Sequence, residues 1–150
     1  MLPLRLVLDT NIVVSAALKP DGLQRTVLLL AMTPPARLYV TALILSEYRE
    51  VLVRPEFRIR KGLRRQFLQL MKNRAHEVSP SRRLEETSDP DDNMFLECAE
   101  AARADYLVTG NLRHFPRYWR QTKVITSREF LTLAAPHLIR YPGTDDGGER

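Results

Sequence analysis

Three carboxylates stand at places where side-chain chemistry is easily assembled. Asp9 closes the apolar run "LRLVLD", Glu47 lies in "LSEYREVL", and Asp92 belongs to "SDPDDNMF", where Asp89, Asp91 and Asp92 crowd one helical turn. Each has an ordinary structural use. Asp9 can cap the helix that follows it. Asp89 can cap the later helix, with Pro90 at its first position. Asp91 and Asp92 suit the positive end of that helix's dipole, and Glu47 flanks an apolar stripe beside Ile44 and Val51. Brought together, the acids repel one another and lose solvation unless a hard cation neutralises them. Mg²⁺ or Mn²⁺ is the natural partner of such oxygen ligands. One or two such ions activate water and stabilise the charge on a phosphodiester under in-line attack.

The elements that must position these acids are short. Leu4–Leu8 reads as a buried strand, Leu23–Met32 as a helix stopped by Pro34 and Pro35, and Arg37–Thr41 as a second strand. Thr41 to Val53 reads as a helix capped by Thr41, with Pro55 beyond its end. Gly62–Arg74 reads as a basic amphipathic helix, "HEVSP" as a short strand at best, and Pro90–Arg103 as the helix that the acidic turn opens. Asp105–Gly110 and Lys123–Thr126 read as strands, and Ser127 as the cap of a last helix, Arg128–Ala135. No Asn-Gly hairpin signal separates the strands. Alternation of this kind predicts a parallel sheet covered by helices on both faces. Ligands of such sheets sit outside the carboxyl ends of the strands, so Asp9, Glu47 and Asp92 are placed to share one edge.

The chain has 150 residues, a net charge of +5 and a pI near 9.7. That suits one domain with an anionic partner such as a nucleic-acid backbone. The positive charge is clustered. Arg54, Arg58, Arg60, Lys61, Arg64 and Arg65 face one acid, Glu56, in the same stretch, and Arg113, His114, Arg117, Arg120 and Lys123 surround Tyr118 and Trp119. No apolar run is long enough to span a bilayer, and "MLPLRLVLD" lacks a secretory pattern. The single cysteine, Cys98, excludes an internal disulfide and fits a reducing cytoplasm. Neither it nor His76, His114 and His137 has zinc-ligand spacing. No glycine-rich phosphate loop occurs, and Ser15 and Ser46 lack an evident His-Asp partner set. Residues 1–140 read as one folded domain and 141–150, "YPGTDDGGER", as a flexible tail.

The stretches "LVLDTNIVVSAAL", "LILSEYREVLVRPEF" and "DPDDNMFLECAEAARADYLVTGNLRHFP", in this order and spacing, resemble the PIN domain. More narrowly they are similar to the VapC-like toxins of bacterial toxin–antitoxin pairs. The resemblance covers Leu4 to about Leu133. It implies a three-layer α/β/α sandwich around a central parallel sheet and metal-dependent ribonuclease activity on single-stranded RNA. It places the family's acids on Asp9, Glu47 and Asp92, with Asp91 as the alternative register. The fourth metal position falls on Asn111, which carries an amide where the family often has an acid. Thr10, Asn11, Thr109 and His114 match polar positions near the site. Arg54, Arg58, Arg60, Lys61, Arg64, Arg65, Arg113, Arg117 and Arg120 would position RNA phosphates. Mg²⁺ or Mn²⁺ would be the cofactor, a cognate antitoxin protein the partner, and the cytoplasm the compartment. A homodimer stays open. The uncharged Asn111 motivates the alternative, a non-catalytic RNA-binding or protein-interaction module that keeps the fold. A phosphoacceptor domain is a further reading, but Lys123 precedes its strand where that chemistry needs a lysine after one.

Overall fold

The computed structural model describes residues 4–87 and 89–134. The last position of the expected final helix, residue 135, and the expected tail, 141–150, lie outside them. The elements are β1 (Leu4–Leu8), α1 (Thr10–Leu18), α2 (Leu23–Ala31), β2 (Ala36–Val40), α3 (Ala42–Leu52), α4 (Lys61–Arg74), β3 (His76–Glu77), α5 (Pro90–Ala102), β4 (Tyr106–Val108), β5 (Tyr118–Trp119), β6 (Thr122–Ile125) and α6 (Ser127–Ala134). One-turn 3-10 helices fill Pro55–Phe57 and Leu112–His114.

Leu6, Val7 and Leu8 are fully buried, as a strand covered on both faces requires. β1 accordingly sits mid-sheet, in the order β3-β2-β1-β4-β6-β5. It pairs in parallel with β2 (Leu6 opposite Leu38) and with β4 (Leu8 opposite Val108). β4 continues in parallel to β6. α5 lies across β1, β2 and β4, while α1 packs on α2 and α3, and α2 on α6. Helices flanking a mostly parallel sheet make the expected three-layer α/β/α arrangement.

The sheet differs from the expectation at one edge. β5 runs antiparallel to β6, joined through Arg120 and Gln121. Arg120 adopts a φ of 56°, in the left-handed region that arginine rarely enters. Its partners explain this: the guanidinium stacks 5.3 Å from the Trp119 ring and its Nε donates to Glu100 at 3.4 Å. A second difference is the start of α6. Thr126, not Ser127, is its cap: the Thr126 hydroxyl accepts from Glu129 N, while the Glu129 carboxylate accepts from Thr126 N at 2.9 Å. This is a reciprocal capping box. Ser127 instead packs its hydroxyl on the Gln24 side chain. Among the described residues no helix is long and apolar enough to cross a membrane.

Candidate active site

Asp9 follows β1 and opens α1. One carboxylate oxygen accepts from Thr10 N at 2.7 Å, so the expected cap is formed. The other accepts from the Thr109 hydroxyl, also at 2.7 Å. Thr109 sits at the carboxyl end of β4 because β4 pairs with β1, and Asp9 N donates to Val108 O at 2.9 Å. The Thr109 hydroxyl in turn accepts from Asn111 N at 3.0 Å. Asn11 ties the two loops together by accepting from Gly110 N at 3.3 Å. Asp9 is thus buried, 7% exposed, and held in one orientation from both sides.

Glu47 reaches the same place on α3. Thr41 caps that helix as expected, its hydroxyl accepting from Ile44 N at 3.1 Å. Tyr48, fully buried, anchors the helix to the end of β1 by donating its hydroxyl to Leu8 O at 2.5 Å. Nothing in the local sequence marked Tyr48, since its partner lies 40 residues away. Asp92 enters on the first turn of α5, which Asp89 caps by accepting from Asp91 N at 2.9 Å. Asp92 is half-buried, whereas Asp91 is exposed.

These elements enclose an open cleft of about 540 Å³. Asn11, Val14, Ser15 and Leu18, at helical spacing, form the α1 wall, and Glu47, Val51 and Arg54 form the α3 wall. Asp9, Thr10, Phe57, Asp89, Asp91, Asp92, Phe95, Asn111 and His114 complete it. His114 Nδ1 lies 3.5 Å from the Asp92 carboxylate. The cleft's electrostatics are those of crowded acids. Burial, with Asp89 and Asp9 as neighbouring charges, pushes the Asp92 carboxyl up to about 6. Burial also raises Asp9, against the hydrogen bonds from Thr109 and Thr10. Burial and the Asp91 and Glu50 charges raise Glu47.

The donor set fits a hard divalent ion in kind: three carboxylates, an amide oxygen on Asn111, and a Thr10 hydroxyl that is buried with no partner among the described residues. In spacing the set is loose. Among the described residues no three His, Cys, Asp or Glu side chains stand close enough to hold an ion directly. Mg²⁺ characteristically retains waters that span such gaps.

The positive charges divide among several surfaces. Arg54 lines the cleft and lies 3.7 Å from Glu50. Lys61, Arg64 and Arg65 line a separate groove between α3 and α4, and Arg58 and Arg60 are exposed and line neither the groove nor the cleft. Arg113 lines the hollows on either side of His114. Arg117 is exposed, and Arg120 is engaged by Glu100 and Trp119.

A row on α5 has no counterpart in the sequence reading. Asn93, Glu97 and Glu100 pin the preceding strap residue by residue. Asn93 Oδ1 accepts from Thr87 N at 2.8 Å, Glu97 from Leu84 N at 2.8 Å, and Glu100 takes both Arg82 donors at 2.9 and 3.0 Å. The signal was present as polar residues at i, i+4 and i+7 of an otherwise apolar helix.

The structure is similar to a chain of VapBC2 from Rickettsia felis, solved bound to a DNA fragment from their promoter. The TM-score is 0.57 at 17% identity, over 82% of this chain and 98% of that one. A search of curated proteins gives no match. The family model described as PIN domain matches residues 5–113, a span that contains Asp9, Glu47, Asp92 and Asn111 together with the β1–β4 core that gathers them. On that match, and with the α/β/α sheet it presupposes in place, the chain belongs to the PIN domain family.

Proposed function

We propose that the protein is a metal-dependent endoribonuclease for single-stranded RNA and the toxin of a toxin–antitoxin pair acting in the cytoplasm. The observation that carries this reading is the convergence of Asp9, Glu47 and Asp92 from three separate elements on one open cleft, with all three carboxyls raised by burial and those of Glu47 and Asp92 raised further by neighbouring acids. Such a cleft lowers its own energy by binding a divalent cation. Asp9, Glu47 and Asp92, with the Asn111 amide, would hold Mg²⁺ or Mn²⁺. A bound ion there supplies Lewis-acid chemistry, neutralising a phosphodiester and acidifying a water.

The chain's own residues do the positioning. The Thr109 hydroxyl and Thr10 N fix both Asp9 oxygens, so the carboxylate presents its remaining lone pairs in one direction. Arg54 within the cleft and Arg113 beside it would bind phosphates flanking the scissile one. The α1 wall of Val14 and Leu18 offers apolar surface to an unstacked base. A cognate antitoxin would silence the cleft by inserting an arginine, the bidentate match for carboxylates. The solved VapBC2 complex with promoter DNA is consistent with such a partnership in a protein of similar fold.

The test is cleavage of a single-stranded oligoribonucleotide with Mn²⁺ and with EDTA, repeated for Asp9→Asn. Cleavage should require Mn²⁺ and fall roughly 100-fold or more in the variant, the scale of losing one preorganised electrostatic group. RNA binding without cleavage by the metal-loaded wild type would replace this reading with the non-catalytic module that Asn111 motivates.

A further inference from the structure

The groove between α3 and α4 has about 450 Å³ of space and shares no lining residue with the acidic cleft. α3 is the wall between them. Its residues Glu47, Val51 and Arg54 face the cleft, and Leu45, Arg49 and Val53 face the groove. Across the groove, α4 presents Lys61, Arg64, Arg65, Leu68 and Lys72. Positions 61, 65, 68 and 72 form one helical stripe, about 16 Å long at the rise of an α-helix.

Three observations mark this stripe as built for an anionic partner. First, α4 has five cations and no acid in 14 residues, and its first turn lacks the acidic residue that the helix dipole favours. Like charges three and four residues apart cost helix stability. Second, Arg49, Lys61, Arg64, Arg65 and Lys72 form no salt bridge among the described residues. Third, the floor is largely aliphatic, and Glu77 is the one acid lining the groove against five cations. Leu45 and Leu68 are half-buried, and Val53 is 46% exposed.

The floor decides between two anionic partners. Proteins that bind single-stranded nucleic acid offer aromatic rings on which bases stack. No aromatic residue lines this groove among the described residues. A strip of aliphatic side chains between rows of cations is instead the complement of an amphipathic helix with one apolar and one acidic edge. We propose that the α3–α4 groove docks an acidic amphipathic helix of a partner protein. Its carboxylates would lie along Lys61, Arg65 and Lys72, and its aliphatic side chains on Leu45, Val53 and Leu68. This surface is separate from the cleft, so docking does not depend on the nuclease reading.

The experiment uses the full chain and a fluorescent 15-residue peptide with Glu and Leu at helical spacing, beside a scrambled peptide of the same composition. The amphipathic peptide should bind at least about tenfold more tightly than the scrambled one, and the double variant Lys61→Glu/Arg65→Glu should weaken it by about tenfold or more. Both residues are exposed, so the fold should be kept. Val53→Gln, which changes no charge, should weaken it as well. RNA cleavage should be unchanged in Val53→Gln, whose side chain lines the groove and not the cleft. Equal binding of the two peptides overturns the proposal. So does displacement of the peptide by a single-stranded 15-mer RNA at lower concentration, or a dimer in sedimentation that Val53→Gln dissolves, since each assigns the groove to another occupant.

Discussion

Replacing Asp92 by Asn should make the metal-free protein more stable, and only above a definite pH. In the folded protein, burial with Asp89 and Asp9 nearby raises the Asp92 carboxyl from 3.8 to about 6. The folded state therefore binds more protons than the unfolded state between about pH 4 and 6. The stability associated with protonated Asp92 is fully present below the unfolded value and is lost as pH rises through the folded one. A rise of this size sets an upper bound of about 3 kcal/mol. Asp92 keeps contact with solvent, and screening leaves about 1 kcal/mol. Asn is neutral at every pH and retains a good residue for a helix start. Urea denaturation in EDTA should thus find the variant equal to wild type at pH 4 and about 1 kcal/mol more stable at pH 7.5, a difference of about 3 °C in Tm. Taking the difference between the two proteins removes the opposite slope from Glu100 and Glu129, whose carboxyls are lowered by hydrogen bonds. Millimolar Mn²⁺ at pH 7.5 should stabilise the wild type by mass action and the variant less. A stability difference that is flat with pH, or negative at pH 7.5, would refute the crowding of charge in the cleft.

Three other perturbations test separate links. Tyr48→Phe should cost about 1–2 kcal/mol, because it leaves Leu8 O at the end of β1 without its buried donor; an unchanged urea midpoint would show that α3 is not anchored there. Cys98 is fully buried, and burial pushes its thiol up to about 12, so iodoacetamide at pH 8 should leave the native protein unmodified and label it only on unfolding. Arg113→Ala should weaken RNA binding and flatten its salt dependence while the single-turnover rate of bound RNA stays within a few-fold; a salt slope equal to wild type would remove Arg113 from the phosphate path.

Features with local causes were legible in the sequence. An apolar run buried on both faces announced β1, Thr41 and Asp89 announced their helices as caps, and the carboxylate after β1 announced an edge where chemistry collects. What escaped depends on partners distant in the chain. The Arg120 turn exists because Glu100 and Trp119 hold it, 20 residues and one residue away. A left-handed arginine gives no sequence signal of the kind that Asn-Gly gives. At Thr126 and Ser127 two residues suited the same cap, and the side chain of Gln24 claimed the second. The cations from Arg54 to Arg65 were visible as a run, but whether each lies on the cleft side or the groove side depends on how α4 folds back against α3.

The most direct test of the central claim is the single-turnover rate of RNA cleavage with saturating Mn²⁺ for Asp92→Asn beside Asp89→Asn. The two acids stand three residues apart at one helix start, yet Asp89 spends its carboxylate on Asp91 N while Asp92 faces Asp9 and His114. The account predicts that Asp92→Asn loses roughly 100-fold or more in rate while RNA affinity holds or rises, and that Asp89→Asn stays within a few-fold of wild type. Cleavage by Asp92→Asn at the wild-type rate would contradict it and reduce the acidic turn to helix capping.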